Sequence, residues 1–81
     1  MREITDAEGR RWEAVAVETV VAHLKKGALL AFRPVDEPEA EPLRTSVEFN
    51  STAAAELAIR AMGEKELRRR LEWARTEAGV A

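Results

Sequence analysis

What most constrains this chain is a single change of character at Asn50. Before it, apolar and polar residues alternate with the period of strands; after it, alanine, leucine, glutamate and arginine dominate, as in helices. Strands followed by helices, rather than strands alternating with them, define an α+β domain. The expected fold is an antiparallel sheet of about four strands over residues 2–49, with two C-terminal helices, about 52–62 and 64–77, packed on one face. The chain has 81 residues, enough for one core, so 1–81 reads as a single domain hiding roughly 60–65% of its unfolded surface.

Ile4 and Thr5 lead into Asp6-Ala7-Glu8-Gly9, where an opening aspartate and a glycine in fourth place suit a type I turn. The chain resumes as Arg10-Arg11-Trp12-Glu13-Ala14-Val15-Ala16-Val17, which makes a β-hairpin. Trp12, Ala14 and Ala16 share one face and Glu13, Val15 and Val17 the other, so neither face is cleanly polar and the strand reads as covered on both sides. Between Glu18 and Lys26 the first reading is a continuing strand that turns at Lys26-Gly27. The second is a short helix on Val17, Val20, Val21 and Leu24. Ala28 to Arg33 is a buried strand ended by Pro34.

Asp36-Glu37-Pro38-Glu39-Ala40-Glu41-Pro42 reads as a solvated, self-repelling connection. Beyond it Leu43, Thr45, Val47 and Phe49 point inward while Arg44, Ser46 and Glu48 face water. Asn50, Ser51 and Thr52 offer N-caps for the first helix, whose apolar stripe is expected on Ala54, Leu57, Ala58 and Ala61. Glu56 and Arg60 pair on its outside, and Gly63 closes it in a left-handed conformation. In the second helix Leu67, Leu71, Ala74 and Ala78 recur on one face, and Arg68 is spaced to pair with Glu64 and Glu72.

The inventory for chemistry is thin. There is no cysteine, no tyrosine and one histidine, His23, which excludes a thiolate nucleophile and a cysteine zinc site. His23 has no nucleophile or orienting partner near it in sequence and reads as structural or surface, with Asp6 or Asp36 as distant partners in space. The carboxylates of Asp36 to Glu41 lack the glycine and alternation of a calcium loop, so no metal or cofactor is expected. The formal charge of −2, from 13 Lys+Arg against 15 Asp+Glu, carries no sign of a nucleic-acid or membrane-surface protein. No apolar run approaches the roughly 20 residues of a membrane span, and the opening residues lack the stretch of a signal peptide, so a cytoplasmic location is expected.

The sharpest candidate surface is Arg68, Arg69, Arg70 and Arg75 around Trp73, with Trp12 as a second aromatic anchor. Arginine can grip phosphate and tryptophan can stack on a base, but Glu64, Glu66, Glu72 and Glu77 are interleaved with them. Asp6-Ala7-Glu8-Gly9-Arg10-Arg11-Trp12, followed by strands and the Glu66 to Leu71 helix, resembles small uncharacterised bacterial proteins that open with a D-x-x-G-R-x-W hairpin. That resemblance implies a stand-alone bacterial domain and brings no activity with it. The reading is a non-catalytic protein-interaction or regulatory domain that binds another protein or itself as a homodimer, through an exposed sheet face or the second helix. The alternative is a nucleic-acid-associated module built on the arginines of the second helix.

Overall fold

The computed structural model describes residues 2–20 and 26–77. His23 and Ala78 lie outside the described residues. Strands β1 (Arg2–Thr5), β2 (Arg11–Val20), β3 (Lys26–Pro34) and β4 (Leu43–Phe49) precede helices α1 (Thr52–Ala61) and α2 (Glu64–Glu77). The strands form one four-stranded antiparallel sheet in the order β1-β2-β3-β4. Each strand lies beside its sequence neighbour because short connections favour antiparallel pairing of consecutive strands. Glu18 to Val20 continue as strand, and Thr19 and Val20 pair with Gly27 and Lys26. Lys26 and Gly27 are therefore strand residues of the β3 ladder and not the turn expected there; residues 21–25 lie outside the described residues.

Both helices cover the same face. Ile4, Trp12, Ala14, Leu30 and Phe32 from the sheet meet Ile59 of α1 and Leu67, Leu71 and Ala74 of α2, with Ala16, Leu43, Val47, Phe49 and Met62 packed around them. Small Ala14 and Ala16 on β2 let α1 approach closely, while Phe32 and Leu30 fill the centre. The core face of α2 is the expected one. That of α1 is turned by one residue: Ala55 and Ile59 are buried, whereas Leu57 is 64% exposed. Alanines at 53, 54, 55, 58 and 61 give the stripe no phase, so the branched Ile59 decides which side faces the sheet.

Ser51 caps α1, its hydroxyl accepting from the Ala54 amide at 3.0 Å. The helix ends on Met62 in an extended conformation (φ −70°, ψ 137°), whose N–H donates to the Ala58 and Ile59 carbonyls. The left-handed Gly63 expected from sequence is not found: its φ is not positive, and its carbonyl accepts from the Leu67 amide at 3.0 Å, in the first turn of α2. Arg2 adds a second closure of α1, donating from Nη1 to the Arg60 and Met62 carbonyls at 3.2 and 3.0 Å. This satisfies carbonyls that no intrahelical amide can reach.

The acidic connection between β3 and β4 is turned by Glu37 N–H to Pro34 O and Ala40 N–H to Glu37 O bonds, and Arg10 draws in Asp36 and Glu37 at 3.5 and 2.6 Å. A cation beside the carboxylates offsets the self-repulsion expected of that segment.

Candidate interaction surface

The two aromatic anchors singled out in the sequence have opposite fates. Trp12 is 4% exposed and belongs to the core, so it presents nothing to a partner. Its burial follows from a network centred on Asp6. One carboxylate oxygen of Asp6 accepts from the Glu8 and Arg10 amides at 3.0 and 2.9 Å; the other accepts from Trp12 Nε1 at 2.9 Å and Arg75 Nη1 at 3.3 Å. Gly9 donates its N–H to the Asp6 carbonyl at 3.1 Å and takes φ +86°, a conformation that side-chain-bearing residues seldom adopt. Arg10 lies over the Trp12 ring, 5.2 Å from its centroid.

The D-x-x-G-R-x-W spacing thus has a structural meaning: turn, bulge, aromatic cover and indole acceptor in one hairpin. Burial alone would raise the Asp6 carboxyl. The hydrogen bonds from the Trp12 indole and the Arg10 and Glu8 amides, with the Arg75 charge, outweigh it and hold the pKa below the usual 3.8.

Arg75 also leaves the candidate patch. Its side chain is 15% exposed and its Nη1 is shared by Asp6, Glu8 and Glu72. The Glu8 hydrogen bond above all, then the charges of Glu8, Glu72 and Asp6, overcome the cost of burial and raise its pKa. Arg68 pairs with Glu64 at 3.5 Å and Arg70 with Glu66 at 3.1 Å, so three of the four arginines are engaged by carboxylates. Glu72 turns to Arg75 rather than to Arg68, because Arg75 is already anchored against the hairpin.

Trp73 remains outside at 69% exposure. It borders a groove of about 320 Å³ with Arg69, Arg70 and Glu77 of α2 and Ser46 of β4. Replacing it with alanine is expected to cost less than about 1 kcal/mol, because an exposed ring loses little burial on truncation. Urea unfolding followed by circular dichroism checks this.

The sheet offers two outer edges, and they differ. Beyond the β1 ladder, which ends at the Arg2–Ala14 pair, no strand among the described residues covers β2 from Val15 to Val20. The β4 edge is irregular: the register with β3 shifts between Leu29 and Ala31. There the Thr45 hydroxyl donates to the Leu30 carbonyl at 2.8 Å and accepts from the Val47 amide at 3.1 Å. Such a bulge blunts an edge against strand addition.

The β2 edge is straight, and its polar groups can be assigned. Asp6 N–H bonds the Arg10 carbonyl and Val35 N–H bonds the Arg11 carbonyl, so even-numbered residues of β2 face the β1 side and odd-numbered residues face β3. Alternation carries this on: the N–H and C=O of Ala16 and Glu18 point outward, and no strand among the described residues meets them. Along this edge runs a groove of about 510 Å³, lined by Arg2, Ala16, Ile59 and Arg60 on the helix side and reaching round to Val17 and Arg33 of the other face. The expected Glu56–Arg60 pair is not among the ion pairs of the described residues, and Arg60 is exposed beside the groove. The far face carries Val15 and Val17 opposite Ala31 and Leu29, an apolar strip running up to the same edge. The Glu13–Arg33 pair borders it.

Sequence reasoning missed Ala16 and Glu18. The available signal was the imbalance around Asp6: ahead of the turn the apolar strand pattern rests on Ile4, and after it the pattern runs for ten residues.

No family model, curated protein or solved structure matches the chain. Among the described residues no group of three or more His, Cys, Asp or Glu is placed to hold a metal ion, and no helix is long and apolar enough to cross a membrane.

Proposed function

We propose that this domain is a protein-interaction module that takes up an extended segment as an added strand along the β2 edge from Val15 to Val20. The observation that carries the reading is the outward N–H and C=O of Ala16 and Glu18 on a regular strand, next to a groove that holds side chains on one face and an apolar strip on the other. Main-chain bonds would supply affinity and the two faces specificity. The alternative, a nucleic-acid module on Arg68, Arg69, Arg70, Trp73 and Arg75, has exposed Trp73 beside Arg69 in its favour. The ion pairs of Arg68, Arg70 and Arg75 weigh against it.

The test is a selection of random peptides against the purified domain, with hydrogen exchange read at Ala16 and Glu18. Bound peptides are expected to slow exchange at both amides and to be lost with Glu18→Pro, while Glu18→Gln keeps them. Proline at that place removes an outward donor without breaking the β3 ladder. Peptides that settle on the Trp73 groove, or that survive Glu18→Pro, overturn the proposal.

A further inference from the structure

We infer that the strand received by the β2 edge is β2 of a second copy, paired antiparallel about a two-fold axis at Val17. This rests on the edge reading above and names its occupant. A two-fold perpendicular to the sheet keeps each face on its own side, so directly opposed residues must have the same parity. The outward groups of Ala16 and Glu18 then restrict the register. With Val17 opposite Val17, Ala16 of each copy meets Glu18 of the other as hydrogen-bonded pairs, and every outward group of the two residues finds a partner.

Moving the axis to Glu18 sets two carboxylates directly opposite each other, which disfavours pairing. Moving it to Ala16 places Glu18 against Ala14, whose outer side is already held by Arg2 of β1, so the outward groups of Glu18 are left unpaired; with the axis at Val17 that position falls to Val20, the last residue of β2, and Ala16 and Glu18 both stay paired.

Charge and apolar surface select the same arrangement. Glu18 is the single charged residue between Val15 and Val20. By alternation it lies on the helix-covered side, so opposite Ala16 its carboxylate enters the groove bordered by Arg2 and Arg60. On the other face Leu29 lies beside Val17. The two-fold therefore joins Leu29, Val17 and their copies into one row across four strands. The strip that stops at the edge of one chain becomes the centre of an eight-stranded sheet, and the axis falls on a non-hydrogen-bonded pair, where side chains are closest.

The chain has no cysteine, so single cysteine substitutions report the register directly. At a non-hydrogen-bonded pair the Cα atoms stand about 4.5 Å apart, within disulfide reach. Under mild oxidation at micromolar concentration Val17→Cys is expected to cross-link to a dimer. Val15→Cys, Glu18→Cys and Thr19→Cys are expected to stay largely uncrosslinked, because each lies opposite a different residue of the other copy. By sedimentation equilibrium the native chain is expected to dimerise reversibly. Glu18→Arg should weaken the dimer by about tenfold or more, and the swap Glu18→Arg with Arg60→Glu should recover much of the loss. Circular dichroism of each variant confirms that it folds.

Preferential cross-linking at position 15, 18 or 19, or a Glu18→Arg variant that dimerises as well as the native chain, overturns the inference. So does a native chain that remains monomeric at several hundred micromolar, a range chosen to cover weak pairing. A monomer that still takes up peptides on the β2 edge removes the second copy alone. A dimer that leaves Ala16 and Glu18 exchanging freely removes the edge reading as well.

Discussion

Asp6→Ala is expected to destabilise the domain by about 3 kcal/mol, a large share of the roughly 5–15 kcal/mol that holds a small domain together. The carboxylate side chain is 2% exposed and serves four donors from three parts of the chain: two turn amides, the Trp12 indole and Arg75 of α2. Alanine leaves the indole N–H buried without an acceptor and releases Arg75 to Glu8 and Glu72, while the turn loses the acceptor of the Glu8 and Arg10 amides. Asp6→Asn separates these losses. Its carbonyl can still serve the turn amides, but its NH2 group cannot accept from the indole or the guanidinium, so it should fall between the native chain and Asp6→Ala. Urea denaturation at neutral pH measures all three.

The same carboxylate gives the stability an acid dependence of known sign. The folded pKa of Asp6 is depressed below 3.8, so the unfolded chain binds its proton first as pH falls. The stabilisation is fully present above the unfolded value and disappears as pH drops through the folded one. The difference in unfolding free energy between the native chain and Asp6→Asn should therefore be constant above about pH 5 and shrink below about pH 4. The other carboxylates are common to both chains and cancel in that difference. A gap that stays constant down to pH 2 would mean that the Asp6 charge contributes nothing to folding.

How much of this was legible in the sequence depends on the range over which each residue acts. The turn could be read because Asp6 and Gly9 act within one hairpin, and the strand from Leu43 to Phe49 because alternation is a local property. From sequence Arg75 belongs to an exposed cationic surface; its partners in the fold, Asp6 and Glu8, lie 69 and 67 residues away and meet it only after α2 docks on the sheet. The face of α1 was misplaced because alanine packs on either side of a helix and carries no direction. The free edge of β2 is a difference in length between neighbours in the sheet, four residues of β1 against ten of β2, so it emerges only once the pairing is known. Local chemistry wrote the scaffold into the sequence, whereas the open edge is a product of tertiary pairing.

Trp12→Ala should have the larger effect, about 4 kcal/mol, near the upper range for emptying a large aromatic site. The ring lies among Ile4, its direct partner on β1, Pro34, its direct partner on β3, and the core beneath α2, and alanine leaves a cavity that these rigid neighbours cannot fill. Trp12→Phe keeps most of the apolar contact and removes only the N–H, so its cost should be markedly smaller. The decisive comparison is a double-mutant cycle with Asp6→Ala. If the indole and the carboxylate act as a unit, Trp12→Phe will cost less in the Asp6→Ala background than in the native one, because the bond is already gone. Strict additivity would make Trp12 a filler of space alone. Coupling would mean that the D-x-x-G-R-x-W hairpin folds as one cooperative piece, fastening the start of β2 to α2 while the far end of the same strand is left open at its edge.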